Sequence, residues 1–213
     1  MARFLKGIHG AYSGKVGNVI GSRWREVDYV RSLSRPSGKK ASLQQLEQRA
    51  RFALGVSFLS PIKDLLNLGF SDMLQGRSTG YNRALQHFLK HALVGTYPNY
   101  EPDFASVAIS RGTLAGLMGA TWEETSPQQV AVTWDPRSNK FNAFDDDAVI
   151  LLIYNKQKAF FSILESGQRQ DGHLEVNFPA SYSGDTLVAW IFAGHRDGVK
   201  TSNSYFLAEI NLS

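Results

Sequence analysis

The 213-residue chain contains no cysteine. That excludes a disulfide framework, a thiolate nucleophile and any cysteine-ligated zinc site. It also has no apolar run approaching the roughly 18 residues of a membrane-spanning helix. Its best run, Ala148 to Tyr154, is the length of a strand. The opening stretch MARFLKGIHGAYSGKVGNVIG lacks the apolar core, roughly 7–15 residues long, of a secretory signal. Synthesis as a cytoplasmic chain is therefore expected, with any final location outside the cell, such as a virion-like assembly, reached by lysis, a dedicated machine or an unrecognised route.

Catalytic patterns are equally scarce. His87 and His91 stand four apart on a predicted helix, the spacing that lets two imidazoles reach one metal, but Phe88 occupies the place of the metalloprotease glutamate. The pair reads as helix surface. Gly14-Lys15-Val16-Gly17-Asn18 lacks the spacing and the following helix of a phosphate-binding loop. No G-x-S-x-G elbow accompanies the serines. Glu123 and Glu124 are adjacent, so on a strand they point to opposite faces. Asp145, Asp146 and Asp147 lack the alternation of a calcium loop and read as a solvated turn. The expectation is a chain that is not an enzyme and uses no cofactor or metal.

What the chain does have is material for a core and a strong charge asymmetry. Hydrophobic residues make up 43%, charged residues 20% and aromatics 12%, a composition that buries a core. Residues 1–50 hold ten basic side chains against three acidic ones, a net +7, which leaves −3 for the remainder of a +4 chain. A basic arm on a mildly acidic body suits either a nucleic acid or a neighbouring copy of the body.

The arm, residues 1–40, carries glycine at 7, 10, 14, 17 and 21. Each glycine costs a helix about 1 kcal/mol relative to alanine, so short β segments are favoured. Near-alternation in SRWREVDYVRS predicts one short strand, with Arg23, Arg25 and Val27 on one face and Trp24, Glu26 and Asp28 on the other. The candidate assembly residues are Gly14, Lys15, Gly17, Asn18, Gly21, Arg23, Trp24, Arg25, Tyr29 and Arg31. Cationic and aromatic side chains interleaved in this way suit strand addition to a partner, or base stacking with phosphate neutralisation.

A turn at Pro36–Lys40 precedes a helical region, residues 41–105. Ser42 is the predicted N-cap, with Leu43, Leu46, Ala50, Ala53 and Leu54 forming an apolar stripe. Pro61 opens or kinks a second helix. A third runs from about Thr79 to Leu93, presenting Tyr81, Leu85, Phe88, Leu89 and Ala92. Gly95–Phe104 reads as a packed loop.

From residue 106 to 213 the period changes to two. Strands are predicted at 106–110, 114–118, 128–135, 147–154, 158–164, 173–178, 186–194 and 204–211, separated by turn residues that include the hairpin-like Asp171-Gly172 and Asp197-Gly198. About seven strands beyond residue 120 fit an antiparallel β-sandwich of the fibronectin III or immunoglobulin kind. AVILLIY is its central strand, buried on both faces. The predicted core residues are Trp134, Leu152, Tyr154, Trp190 and Tyr205, with Trp134 and Trp190 facing each other across the two sheets. The fold class is thus α+β: a glycine-rich β arm, a small helical middle and a C-terminal sandwich.

The series Gly14-Lys15-Val16-Gly17-Asn18-Val19-Ile20-Gly21, Trp24, Tyr29-Val30-Arg31-Ser32, Gln45, Gln48-Arg49 and Phe52 resembles the head of an uncharacterised bacterial family. That family pairs a GKxGNxxG…W…VRS…Q…R…F head with a sandwich ending in an SNSYF-like strand, here Ser202-Asn203-Ser204-Tyr205-Phe206. The resemblance spans nearly the whole chain and implies a C-terminal sandwich, but no activity. The first fifty residues are also similar to the heads of some phage and prophage virion proteins. Where those carry P-x-T-x-x-Q before the helix, this chain has Lys40-Ala41-Ser42.

The expected function is a structural subunit that forms a homo-oligomer or homopolymer (a filament, tube or shell) through the arm. One alternative is a nucleic-acid-associated protein that uses the basic arm. The other is an adhesive, glycan-binding module that uses Trp122, Phe141 and Phe144 on sandwich loops.

Overall fold

A computed structural model describes residues 3–4, 10–24, 26–34, 38, 40–72 and 78–213. The chain divides into two compact units, Met1–Ser42 and Leu43–Ser213.

The first unit is an antiparallel sheet with strand order β1-β2-β3-β4: β1 (Arg3–Phe4), β2 (Tyr12–Val16), β3 (Val19–Trp24) and β4 (Val27–Ser32). Gly17 (φ +57°) and Asn18 close the β2–β3 hairpin between the paired residues Val16 and Val19. The stretch SRWREVDYVRS is not one strand. It turns back on itself, and Trp24 pairs with Val27, Ser22 with Tyr29 and Ile20 with Arg31. The alternation on either side of the turn had read as one continuous period. Gly7, His9, Arg25, Arg35, Pro36 and Lys39 lie outside the described residues.

The second unit opens with three helices, α1 (Leu43–Leu59), α2 (Lys63–Gly69) and α3 (Gly80–His91). Helix α1 begins directly after Ser42, but its predicted stripe is not buried as a whole. Leu43 remains 61% exposed, and the buried positions are Gly55, Phe58 and Leu59 in the last turns. Pro61 sits in the first turn of a 3-10 segment, where its missing N–H costs nothing. Thr79 caps α3, its Oγ1 accepting from the Asn82 N–H at 3.2 Å. The predicted loop at 95–104 is instead largely a hairpin, β5 (Leu93–Thr96) with β6 (Asn99–Pro102), turning at a cis Tyr97–Pro98 bond.

Residues 106–118, predicted as two strands, are mostly irregular and hold only a single bridge, Leu114 to Ser202. Val107, Ile109, Leu114 and Leu117 are buried here as separate plugs, which mimics the alternation of a strand. Seven strands follow: β7 (Thr121–Ser126), β8 (Gln129–Thr133), β9 (Ala148–Asn155), β10 (Phe160–Gln168), β11 (His173–Asn177), β12 (Thr186–Gly194) and β13 (Tyr205–Asn211). They form two antiparallel sheets, ordered β11-β8-β7 and β10-β9-β12-β13. Asp171-Gly172 therefore does not close a hairpin. It carries the chain from one sheet to the other.

The four-stranded sheet is covered on both faces, which produces three layers rather than two. Val149, Leu151, Ile153, Leu187, Ala189 and Ile191 point at the three-stranded sheet and meet Trp122, Val130, Val132 and Trp134. The alternate residues Ile150, Leu152, Val188, Trp190 and Phe192 pack with Phe58, Leu59, Ile62, Leu66 and Phe88 of the helical layer. With a side-chain period of two, adjacent residues serve different cores. The change near residue 105 therefore separates kinds of element without separating hydrophobic cores.

This parity corrects the predicted core. Trp134 lies between the sheets, its Nε1 donating to the Arg169 carbonyl at 2.9 Å. Trp190 faces the helical side, its Nε1 donating to the Phe104 carbonyl at 3.1 Å, so the two tryptophans do not face each other. Leu152 is buried on that same helical side, and Tyr154 packs half-buried beside Phe58 and Phe161. Tyr205 is 55% exposed and does not belong to the core. Its neighbour Phe206 pairs with Trp190 and packs against its ring, because a shift of one residue along a strand exchanges the faces.

Candidate functional site

The arm sheet positions its side chains by strand pairing, which puts directly opposed residues on one face. Lys15 pairs with Ile20, and Ile20 pairs with Arg31. Lys15, Trp24, Tyr29 and Arg31 therefore share a face with Ile20 and Val27. Trp24 is 47% and Tyr29 44% exposed. Arg23 stands on the opposite face beside Asp28, at 3.7 Å, in an exposed ion pair that contributes little to stability. Gly14 pairs with Gly21, where the approach of Tyr12 leaves no room for a side chain. A Cβ on Gly21 would lie 2.2 Å from the Tyr12 carbonyl and 2.6 Å from its ring. The predicted Arg25 lies outside the described residues.

Two of the outer strands carry exposed side chains that suit further pairing. Strand β4 pairs only with β3. In the second unit β10 pairs only with β9, and it carries the exposed side chains Phe160 (58%) and Ile163 (44%). Near its end, Asp146, Glu165 and Asp171 line an acidic groove.

Asp147 is fully buried against Arg169, with Oδ2 3.1 Å from the arginine Nε, while Asp146 pairs with Arg196 at 2.9 Å. Arg169 Nη2 donates further to the Ala115 carbonyl at 2.7 Å, so this acidic turn is anchored rather than merely solvated. Trp122 is buried between the sheets, Phe144 stacks edge-on against His195 at 5.0 Å, and Phe141 is 91% exposed. The rings of His87 and His91 lie 4.8 Å apart, and His87 Nε2 accepts from Arg111 Nη2 at 2.8 Å. The Arg111 guanidinium thus occupies one of the two ring nitrogens of His87. Among the described residues, no three His, Asp or Glu side chains converge as metal ligands. Sequence reasoning missed Arg111 because it reaches the pair from 24 positions away.

No helix among the described residues is long and apolar enough to cross a membrane. The strand order places the body among antiparallel sandwiches of the fibronectin III type, with a helical layer added on one face. The chain belongs to DUF6266, a family of unknown function, which it matches over residues 11–208. Among solved structures it is similar to the fn3 domain of human collagen alpha-1(XX) chain, at 11% identity and a TM-score of 0.32, covering 49% of this chain and 88% of that one. It is also similar to the fn3 domain of human contactin 1, at 10% identity and a TM-score of 0.31, covering 49% and 83%. No curated protein matches the chain.

Proposed function

We propose that the chain is a structural rather than catalytic subunit that joins copies of itself by strand addition. Strand β4 of one copy extends the sandwich of the next at β10. The observation that carries this reading is the outer strand β4, whose residues from Asp28 to Ser32 are all exposed. A four-stranded sheet with so little buried surface is marginal on its own and gains order by adding to another sheet. Charge supports the choice of partner: the first fifty residues carry +7 and the rest −3. The acidic groove beside β10 is where the arm's Lys15 and Arg31 would find counter-charges.

Negative-stain microscopy and light scattering on the full-length protein test this. Regular filaments, tubes or shells are expected. A Gly21→Val variant, which drives a side chain into Tyr12, is expected to remain folded in its body and to stop assembling. Assembly by that variant at the wild-type level removes the arm from the mechanism.

The shared face of Lys15, Trp24, Tyr29 and Arg31 favours one second reading, a nucleic-acid contact in which bases stack and phosphates are neutralised. Its signature is an affinity that falls steeply with salt and is lost when Lys15 and Arg31 are both changed to glutamine. Binding unchanged by salt or by those substitutions excludes it.

A further inference from the structure

One side of α3 carries basic side chains along its length. Arg83, His87, Lys90 and His91 recur at helical spacings, while Leu85 and Phe88 turn into the core. Arg111 is delivered to that side from the irregular segment after the β5–β6 hairpin. Its backbone N–H donates to the Gly69 carbonyl at 2.8 Å, a close approach that leaves no space for a side chain, since a Cβ on Gly69 would lie 2.4 Å from the Ile109 carbonyl. The arginine is thus seated by the backbone, and its guanidinium donates to His87 Nε2. With Nε2 accepting, the neutral ring carries its proton on Nδ1, a buried donor without a hydrogen-bond partner among the described residues.

These groups line a cavity of about 200 Å³. Among the described residues no carboxylate lines it, nor the adjoining cleft, whose wall includes Ser106, Asn203 and Ser204. Neither Lys90 nor Arg111 forms an ion pair with a carboxylate among the described residues. Lys90 and Arg111, beside a hollow whose described lining holds no carboxylate, stabilise an anion that enters it. The hydroxyl- and amide-bearing cleft alongside suits the hydroxyls of whatever carries that anion.

We propose that this cavity binds the phosphate or sulfate group of a small hydroxylated molecule, with Lys90 and Arg111 holding the oxyanion. The guanidinium offers planar, fixed donors to two oxygens and the ammonium a mobile point charge. Arg83 adds positive potential at one end and His91 a further ring at the other. His87 orients the Arg111 side chain by accepting from it. The site does not rest on the assembly role of the arm.

Titration calorimetry of the full chain with inorganic phosphate and with glucose 6-phosphate, at constant ionic strength against a sodium chloride control, provides the test. Saturable one-site binding of either is expected. In NMR the ring signals of His87 and His91 should move with the titration, while those of His173 and His195 stay still. Lys90→Gln alters only an exposed side chain, and Arg111→Gln keeps the backbone bond to Gly69. Each should weaken binding about tenfold or more, the loss expected for a charge-assisted hydrogen bond, with the far-UV circular dichroism unchanged. No saturable response above the chloride control overturns the proposal. So does undiminished affinity in the folded Lys90→Gln variant, or a response to a single-stranded oligonucleotide with none to phosphate.

Discussion

The arm sheet and the four-stranded sheet of the body are built from the same antiparallel ladders, yet they bury opposite amounts of side chain. Strand β12 is buried at every position from Leu187 to Gly194, whereas no residue of β4 is buried. Pairing alone therefore does not decide stability in this chain. What differs is cover: β9 and β12 have a layer on each face, and their apolar residues alternate between two cores. Backbone hydrogen bonds largely exchange for bonds to water, so most of the net gain comes from buried apolar surface.

The largest effect that would break this comparison lies at Trp190. Its replacement by alanine removes a fully buried indole from the core shared by sheet and helices, together with its bond to Phe104. A loss of about 3–5 kcal/mol is expected in urea unfolding. A loss below about 1 kcal/mol would mean that the helical layer is not seated on this sheet.

An intermediate effect sharpens the comparison through pH. Burial, the Arg111 guanidinium and the neighbouring His91 hold His87 at about 4, below its ordinary value of 6.5. A folded value beneath the unfolded one means that unfolding takes up a proton between those limits. Stability is then full above pH 6.5 and declines as the pH falls towards 4, by on the order of 1 kcal/mol once solvent screening is allowed for. Denaturant unfolding of the body across that range measures it, and His87→Gln should flatten the slope. An unchanged slope in that variant would assign the pH dependence to another group.

The smallest effect belongs to the arm. Trp24→Ala should change the unfolding free energy of the body by no more than about 0.5 kcal/mol, as expected of an exposed surface position. An effect comparable to that of Trp190→Ala would erase the distinction between the two regions.

Much of the body was legible in the sequence, for reasons that also explain the failures. Runs such as AVILLIY and TLVAWIFA can only be central strands, so β9 and β12 were found almost to the residue. For the same reason their facing was lost: a strand apolar on both sides gives no hint which residue serves which core, and Trp190 was assigned to the wrong one. Strand β7 was missed because TWEETS is acidic and polar outside Trp122. The β5–β6 hairpin was missed because Pro98 and Pro102 read as breakers. In the arm, the turn after Trp24 has no glycine to announce it. On α3 the His87 and His91 spacing was visible, but Arg83 and Lys90 were not read with it, and Arg111 arrives by a chain path that no local period encodes.

The double cover of the four-stranded sheet also sets the portability of this sandwich. A domain that seals its own hydrophobic surface can be moved between chains as a unit. Here a cut near residue 105 would strip the helical lid from Ile150, Leu152, Val188, Trp190 and Phe192 and leave them in water. A graft or recombination event that carries the strands without α1 to α3 inherits a sticky plate instead of a module. The piece that keeps the sandwich together with its helical cover is the second compact unit, Leu43–Ser213.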